Sequence, residues 1–392
     1  MIIGPIQKKT SDSSIRVQVE VKSDTLQDTL LWYEFDKNIE EYITTEKHDG
    51  FVVGLLLLAM KNREDIHIQG KISGKLYYNM TNYYMDIVQS FAPEFHKIRI
   101  VPDGLTGKTG YRRGNGVITG FSAGIDSFSV IHDHLENPVP DEYKITHFLF
   151  NNVGSHGEWD AENAEKLFLK RYELIKGYPE DISIPFICVN SNLSEILQME
   201  FRKTHPPRNV STVLMLQGLV SKYYYASAYK YEDCYIGKQD GLGRADPFSL
   251  HLLSTESLEC ISAGCQNSRT DKTRIVSEYK HSKKWLNVCG STRGNAKNCS
   301  TCWKCNRTLF TLELLGKLND YREVFDLEKW NWSRKWFIPD TILNPRVDDP
   351  LIEEIRVLAR EKQYHYSTRD KVLNFIIRIL PVKLYKKLRR IP

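Results

Sequence analysis

The sequence predicts an α/β protein whose central part is a parallel sheet with helices on both faces. Short apolar runs at 116–121, 145–150, 185–189 and 234–237 alternate with stretches of helical periodicity that run to His134 and over 160–176 and 212–229, as consecutive βαβ units do. The turn after the first run, Ser122-Ala-Gly-Ile-Asp-Ser127, has the Ser/Gly chemistry of a strand-to-helix loop. Further on, Cys289, Cys299, Cys302 and Cys305 stand in a C-x9-C-x2-C-x2-C array. Such spacing lets four thiolates converge on one tetrahedral ion, and four sulfurs leave no open position for chemistry. A structural metal site is therefore expected.

At 392 residues the chain is long enough for two domains and a large core. Residues 1–101 read as an N-terminal α/β module. Ile15, Val17, Val19 and Val21 alternate as a strand with one buried face, 50–61 reads as a buried helix, and 98–101 as a second strand. Residues 102–116, rich in Gly, Lys and Arg, read as a linker or lid; Gly107-Lys108-Thr109 ends like a phosphate loop, but Pro102 stands where G-x4-G-K-T needs its first glycine. Residues 117–310 hold the alternating strand and helix pattern and the cysteine array and are expected to form one domain. Residues 311–392 read as a helical extension, with helices at 349–363 and 368–380 and with Trp330, Trp332 and Trp336 packing it down.

Composition narrows the class. The longest apolar run, 51–60, is too short to span a bilayer, and the first residues lack the apolar stretch of a signal peptide, so no transmembrane segment and a cytoplasmic location are expected. Eight cysteines, four of them at metal spacing, fit a reducing compartment better than a disulfide framework, with Cys188, Cys234, Cys260 and Cys265 read as small buried hydrophobes. The net charge of +5 is compatible with nucleotide or nucleic-acid contact without demanding it. From Arg378 to Arg390 inclusive the chain carries six Lys or Arg residues and no acid, interleaved with Leu384, Tyr385 and Leu388. This pattern suits a solvated helix face, or a surface for anionic lipid or nucleic acid.

Chemistry is expected at the 122–127 turn. Backbone N–H groups at a helix start and the positive end of its dipole favour an anion, and Gly124 lets the backbone approach it closely. Ser122 and Ser127 add hydroxyls, and Asp126 orients the loop or a magnesium ion; a plain helix cap by Asp126 or Ser127 is the simpler alternative. Ala123 is expected to keep a negative φ. Asn151 and neighbouring Asn152, Arg208 and Asp240 fall near strand ends or in the loops beyond, where ligands of parallel sheets sit. His147 reads as a core histidine within a strand; His156 and His205 fall in candidate loops.

The turn resembles the S-G-G-x-D-S loop of the PP-loop ATP pyrophosphatases, which cleave ATP between its α and β phosphates and adenylate a substrate. Within that superfamily the cysteine array, ending Cys302-x2-Cys305-Asn306-Arg307, resembles that of 7-cyano-7-deazaguanine synthase, a zinc protein of queuosine biosynthesis. Pro206-Pro207-Arg208-Asn209, before an expected apolar helix, resembles the family's P-G-R-N. Ile236-Gly237 with Asp240 and Asp246 resembles its I-G…D-x-S-G-Y-P-D stretch, and Lys272-Thr-Arg-Ile-Val276 its K-T-E-I-V. The resemblance covers about 115–310. The departures are Ala123 for the second glycine, Val153-Gly154-Ser155 for Y-G-Q, and Arg244 for the tyrosine between the two aspartates.

The resemblance implies an adenine-nucleotide α-hydrolase-like fold and an AMP-forming, ATP-dependent ligase with ATP, Mg2+ and Zn2+. It implies that Phe121, Ser122, Ala123, Gly124, Ile125, Asp126 and Ser127 line the phosphates, with Asn151, Gly154 and Gly237 nearby. Ser122, Asp126, Ser127 and Lys272 would take part in catalysis. Arg208 and Asn209 would orient the adenylate, and Asp240 and Asp246 would accept hydrogen bonds from a guanine-like base. The expected substrate is a deazapurine carboxylate such as 7-carboxy-7-deazaguanine, attacked by ammonia or an amine, and a homodimer is among the expected assemblies. Extensions at both ends favour a member associated with antiphage defence that modifies a protein or nucleic acid. Housekeeping nitrile synthesis, non-catalytic nucleotide binding and sulfur transfer to tRNA stay open as alternatives.

Overall fold

The computed structural model describes residues 1–107, 113–157, 161–291 and 296–380. Residues 108–112 of the expected linker, Asp160 at the expected helix start and the basic segment from Pro381 lie outside these. The chain divides into two compact units: Met1–Ser122 with Val130–Gln266, and Ala123–Ser129 with the chain from Asn267 onward. This division does not follow the boundaries expected near 101, 116 and 310.

From the N-terminus to Gln266 the chain runs β1 (Ile2–Ile3), β2 (Gln7–Thr10), β3 (Ser14–Lys22), β4 (Thr29–Asp36), α1 (Asp49–Asn62), β5 (Ile66–Ser73), α2 (Gly74–Asn79), α3 (Met85–Phe91), β6 (Ile100–Thr106), β7 (Gly116–Gly120) and α4 (Ile125–Ile131). It continues through β8 (His147–Asn151), α5 (Ala161–Ile175), α6 (Gly177–Asp181), β9 (Phe186–Ser191), α7 (Leu193–Leu197), α8 (Phe201–Leu214), β10 (Val220–Ala226), α9 (Asp246–Ser249) and β11 (Glu259–Ala263). The first unit carries one eleven-stranded sheet in the order β11-β10-β7-β8-β9-β4-β3-β1-β5-β6, with β2 paired to β3. Strands β7 to β11 pair in parallel, as the alternating pattern predicts.

The N-terminal residues do not form a sheet of their own. Strand β4 pairs antiparallel with β9, Tyr33 opposite Ser191 and Phe35 opposite Val189, so the two halves share one sheet. An unpaired β9 would leave a parallel sheet with an open edge, and β4 closes it. Local patterns reveal strands but not such distant partners. Residues 100–106, partly read as linker, form β6 in parallel with β5.

Two central elements differ from expectation. The helix expected over 212–229 is two elements, α8 and β10, separated by a turn through Gly218. A Cβ at Gly218 would lie 2.5 Å from the Tyr42 carbonyl oxygen, so glycine is needed there, and Val220, Tyr223, Tyr224 and Tyr225 then favour extended structure. The strand expected at 234–237 is loop, and its place in the sheet belongs to β10 and β11. Pro206 and Pro207, expected before a helix, lie inside α8 because the helix already begins at Phe201.

The core is dense where α1 meets α8. A Cβ at Gly50 would approach the Ser211 carbonyl oxygen to 2.6 Å, and one at Gly54 the Tyr33 hydroxyl to 2.7 Å. Tyr33 donates to Ser211 Oγ at 2.9 Å, with both groups buried.

The second unit is helical: α10 (Arg269–Glu278), α11 (Ser282–Trp285), α12 (Trp303–Leu314), α13 (Leu327–Phe337), α14 (Pro350–Glu361) and α15 (Thr368–Ile379). Asp349 caps α14 and Ser367 forms a capping box with Asp370 on α15, the two helices expected at 349–363 and 368–380. Trp330 is buried, whereas Trp332 and Trp336 are half exposed. The helical period turns 330, 333 and 337 inward, which leaves 332 and 336 on the outer face and corrects the expectation that all three pack the extension. Among the described residues no helix is long and apolar enough to cross a membrane.

Gly50→Ala should lower stability by about 1–3 kcal/mol through overpacking of α1 on α8. Chemical denaturation checks this; an unchanged unfolding midpoint would contradict the close approach.

Candidate phosphate loop and metal centre

The 122–127 turn follows the carboxyl end of β7 directly in the chain. The chain leaves β7 toward its neighbour β8, then β9, and later returns to the other side of β7 as β10 and β11. The carboxyl end of β7 is therefore the topological switch point, outside which such sheets form their crevice. Phe121, at this end, is buried with its ring centroid 5.2 Å from Phe148 and 4.9 Å from Tyr178. It anchors the strand end in the core rather than presenting a face to a ligand. Ser122, next in the chain, is exposed.

The turn itself overturns one expectation. Ala123 adopts φ 55°, the left-handed region, and is fully buried. An L-residue there costs about 1–2 kcal/mol, which the surroundings must offset. Part of the offset is visible: the Asn287 N–H donates to the Ala123 carbonyl at 2.7 Å. Gly124 accepts from the Phe128 N–H and from Ser127 Oγ, both at 3.0 Å. The Ser127 hydroxyl, buried, thus braces the turn, as does Ile125, also buried.

Asp126 is the centre of a charge cluster. Its Oδ2 lies 2.7 Å from Arg269 Nη2 and its Oδ1 3.5 Å from Lys272 Nζ. Lys272 is buried and Asp126 only partly exposed, so the carboxylate neutralises a desolvated ammonium. The start of α10 that carries both cations is capped twice: Ser268 accepts from the Asp271 N–H, and Glu354 Oε2 accepts from the Arg269 N–H at 2.7 Å. Arg269 was missed in the sequence. The signal was present, since it stands three residues before Lys272 and therefore shares a helix face with it.

The remaining candidates do not share one surface character. Arg208 is buried in α8, donating to the carbonyls of Val153 at 3.0 Å and Met199 at 2.6 Å, to Thr204 Oγ1 at 2.7 Å and to Ser194 Oγ at 3.2 Å. It clamps the β8 end to α8. Gly154, at φ 119°, is required beside it, because a Cβ would meet Arg208 Nη1 at 2.4 Å. Asn209 donates to the His205 carbonyl at 2.6 Å within the same helix, and Asn151 to Thr212 Oγ1 at 3.0 Å. Gly237 has φ 143° in a loop.

The two aspartates sit in opposite environments. Asp240 is almost fully exposed, 4.0 Å from Arg202, whereas Asp246 is buried and burial pushes its carboxyl well above the ordinary 3.8. Its Oδ1 has no hydrogen-bond partner among the described residues. Such a carboxyl resists ionising and is a poor acceptor for a base. His156 is enclosed against Phe150 and Phe168, and burial with Arg171 nearby lowers its pKa to about 3, so it stays neutral. His147 is likewise depressed by burial. His205 lies in α8, not a loop, hydrogen-bonded to the Tyr225 hydroxyl.

The four cysteines converge. Their Sγ atoms all lie within 4.8 Å of one another, with 3.9 Å between Cys289 and Cys302 and 3.9 Å between Cys299 and Cys305. A tetrahedron with Zn–S of about 2.3 Å has S–S edges of about 3.8 Å, so the donor set fits such an ion. Ser300, at φ 62°, turns the chain between Cys299 and Cys302, and the Cys302 N–H donates to Cys299 Sγ at 3.2 Å. Asn298 braces the flank by accepting from the Val288 N–H and donating to the Leu286 and Val324 carbonyls. These four cysteines could hold a metal such as zinc.

No protein-family model, curated protein or solved structure matches the chain.

Two outcomes follow from this geometry. Cys302→Ser should lose a stoichiometric metal, about one zinc per chain, and melt several degrees lower, because a closed thiolate site contributes directly to folding. Unchanged melting after complete metal removal would contradict it. For Asp246, a carboxyl whose folded pKa is raised favours folding below its ordinary value and weakens it as pH rises toward the folded value. Asp246→Asn should therefore melt at or above the parent at neutral pH, with the gain disappearing below about 3.8. A clear loss at neutral pH would mean the carboxyl serves a partner.

Proposed function

We propose that this protein is an ATP-dependent adenylating enzyme, activating a carboxylate with release of pyrophosphate. The observation that carries the reading is Asp126, at the start of α4 behind a left-handed turn, held between Arg269 and Lys272. The order of motifs resembling the PP-loop pyrophosphatases supports it, as does the place of the turn after β7.

In this reaction a carboxylate oxygen attacks the α-phosphorus, the bond to the β-phosphate oxygen breaks, and pyrophosphate departs with the developing charge. Arg269 and Lys272 are suited to receive that charge, and Asp126 holds both cations in place beforehand, so little reorganisation is needed. The helix N-terminus after Ala123 adds backbone donors. Magnesium would enter with the phosphates, since Asp126 is already paired with cations. The mixed anhydride formed is then open to ammonia or an amine, with AMP leaving. A deazapurine acid is the substrate that the resemblance suggests.

Asp126→Asn should reduce AMP release from ATP, supplied with 7-carboxy-7-deazaguanine and ammonia, by about two to three orders of magnitude. It should also lower stability by about 1–3 kcal/mol, because the buried Lys272 ammonium loses the Asp126 carboxylate beside it, while the protein remains folded at assay temperature. AMP release near the parent rate would remove this cluster from the reaction. Ala123→Gly should keep activity and raise stability by up to about 1 kcal/mol, the left-handed strain being only partly offset by glycine's entropy. Denaturant titration reads this directly, and a loss would contradict the strained turn.

A further inference from the structure

The cysteine centre and the strained turn are joined by one residue. Asn287 stands two positions before Cys289, and its backbone N–H donates to the Ala123 carbonyl at 2.7 Å. Ala123–Ser129 and the chain from Asn267 onward belong to the same compact unit, so this bond lies inside it. The Asn287 side chain bonds to the cysteine loop: its Nδ2 donates to the Ala296 carbonyl at 2.9 Å, and its Oδ1 accepts from the Cys289 N–H at 3.4 Å.

That loop has two arms held together at their bases. Asn298 accepts from the Val288 N–H at 2.9 Å and donates to the Leu286 carbonyl at 2.8 Å, beside the bond from Asn287 to Ala296. One arm leads into Cys289 and the other into Cys299, Cys302 and Cys305. Across their tips Cys289 Sγ meets Cys302 Sγ at 3.9 Å, a weak contact between thiols. Bonds of about 2.3 Å from each sulfur to a shared ion would fix the tips far more firmly.

We propose that an ion in the cysteine centre holds the 122–127 turn in shape through Asn287, which makes Asn287 a positioning residue for that turn. The link itself stands on geometry; that the turn receives the phosphates of ATP rests on the adenylation reading. With the ion bound, the Asn287 N–H stays opposite the Ala123 carbonyl and offsets part of the strain of its φ of 55°. With the ion removed, the stretch before Cys289 gains freedom, the bond weakens, and the turn relaxes toward conformations an alanine prefers. Linkage requires the converse, so a ligand that needs the ordered turn tightens the ion by the same factor.

Hydrogen exchange of the metal-loaded protein, before and after a zinc-selective chelator, reads the link without any substrate. The Phe128 amide donates to the Gly124 carbonyl inside the turn, and it should exchange more than about tenfold faster once the ion is gone, while α13 and α14 keep their protection. Unchanged exchange at Phe128 would overturn the proposal, as would equal acceleration across the whole unit. Two substitutions isolate the donor. Asn287→Pro removes the N–H, after a Leu286 whose ψ of 120° suits a residue before proline, whereas Asn287→Ala removes the side chain and keeps the N–H. Phe128 should exchange fast in the proline variant even with the ion bound, and slow protection there would overturn the link. Should that variant not fold, the alanine variant decides, because its Phe128 protection must still follow the ion. Zinc affinity of the parent, read by chelator competition, should rise by about fivefold or more when ATP and magnesium are added, and should not rise in the proline variant. ATP binding that leaves zinc affinity unchanged would overturn the link. Exchange that follows the ion, in a protein that binds no ATP, would uphold the link and remove the adenylation reading.

Discussion

The candidate site depends on the ion pairs that Asp126 makes with Arg269 and Lys272. A buried lysine is unfavourable unless a partner neutralises it, and Asp126 is placed to do so only because the chain turns sharply between β7 and α4. Ala123 takes the left-handed conformation in that turn, in a position where glycine would meet no penalty. The strained residue is buried and lies three residues before the charged cluster's carboxylate. Glu354 adds a second acid against the same helix start, so two acids face two bases.

The centre of four cysteines makes a different use of local geometry. Ser300 in a left-handed conformation and Asn298 between three backbone partners hold the ligand loop, and sulfur separations of 3.9 Å match the edges of a small tetrahedron. With all four positions supplied by the chain, a bound ion organises the loop and leaves the chemistry to other residues.

Much of this was legible in the sequence because it is local. Alternating valines and isoleucines announced β3, the helices expected at 349–363 and 368–380 appear as α14 and α15, and cysteine spacing announced the convergence of the four thiols. What was not legible is non-local. Nothing in residues 29–36 names β9 as their partner, and the tyrosines of β10 carry a period that a preceding helix can absorb until Gly218 is seen to need the space beside Tyr42. At the site, side-chain type did not reveal burial. Arg208 looks like a ligand contact in sequence but is enclosed by its own carbonyl partners, and Asp246 looks like an acceptor but is shut away from water. Arg269 was overlooked because its meaning lies in its distance from Asp126, some 140 residues earlier in the chain.

The proposed adenylation would break one particular bond of ATP. Phosphorus NMR of ATP and magnesium incubated with the purified protein, a carboxylate acceptor and ammonia distinguishes the products directly. Adenylation predicts AMP and pyrophosphate in equal amounts, appearing only when the acceptor is present. ADP with inorganic phosphate, or ATP left intact with every carboxylate offered, would contradict the account.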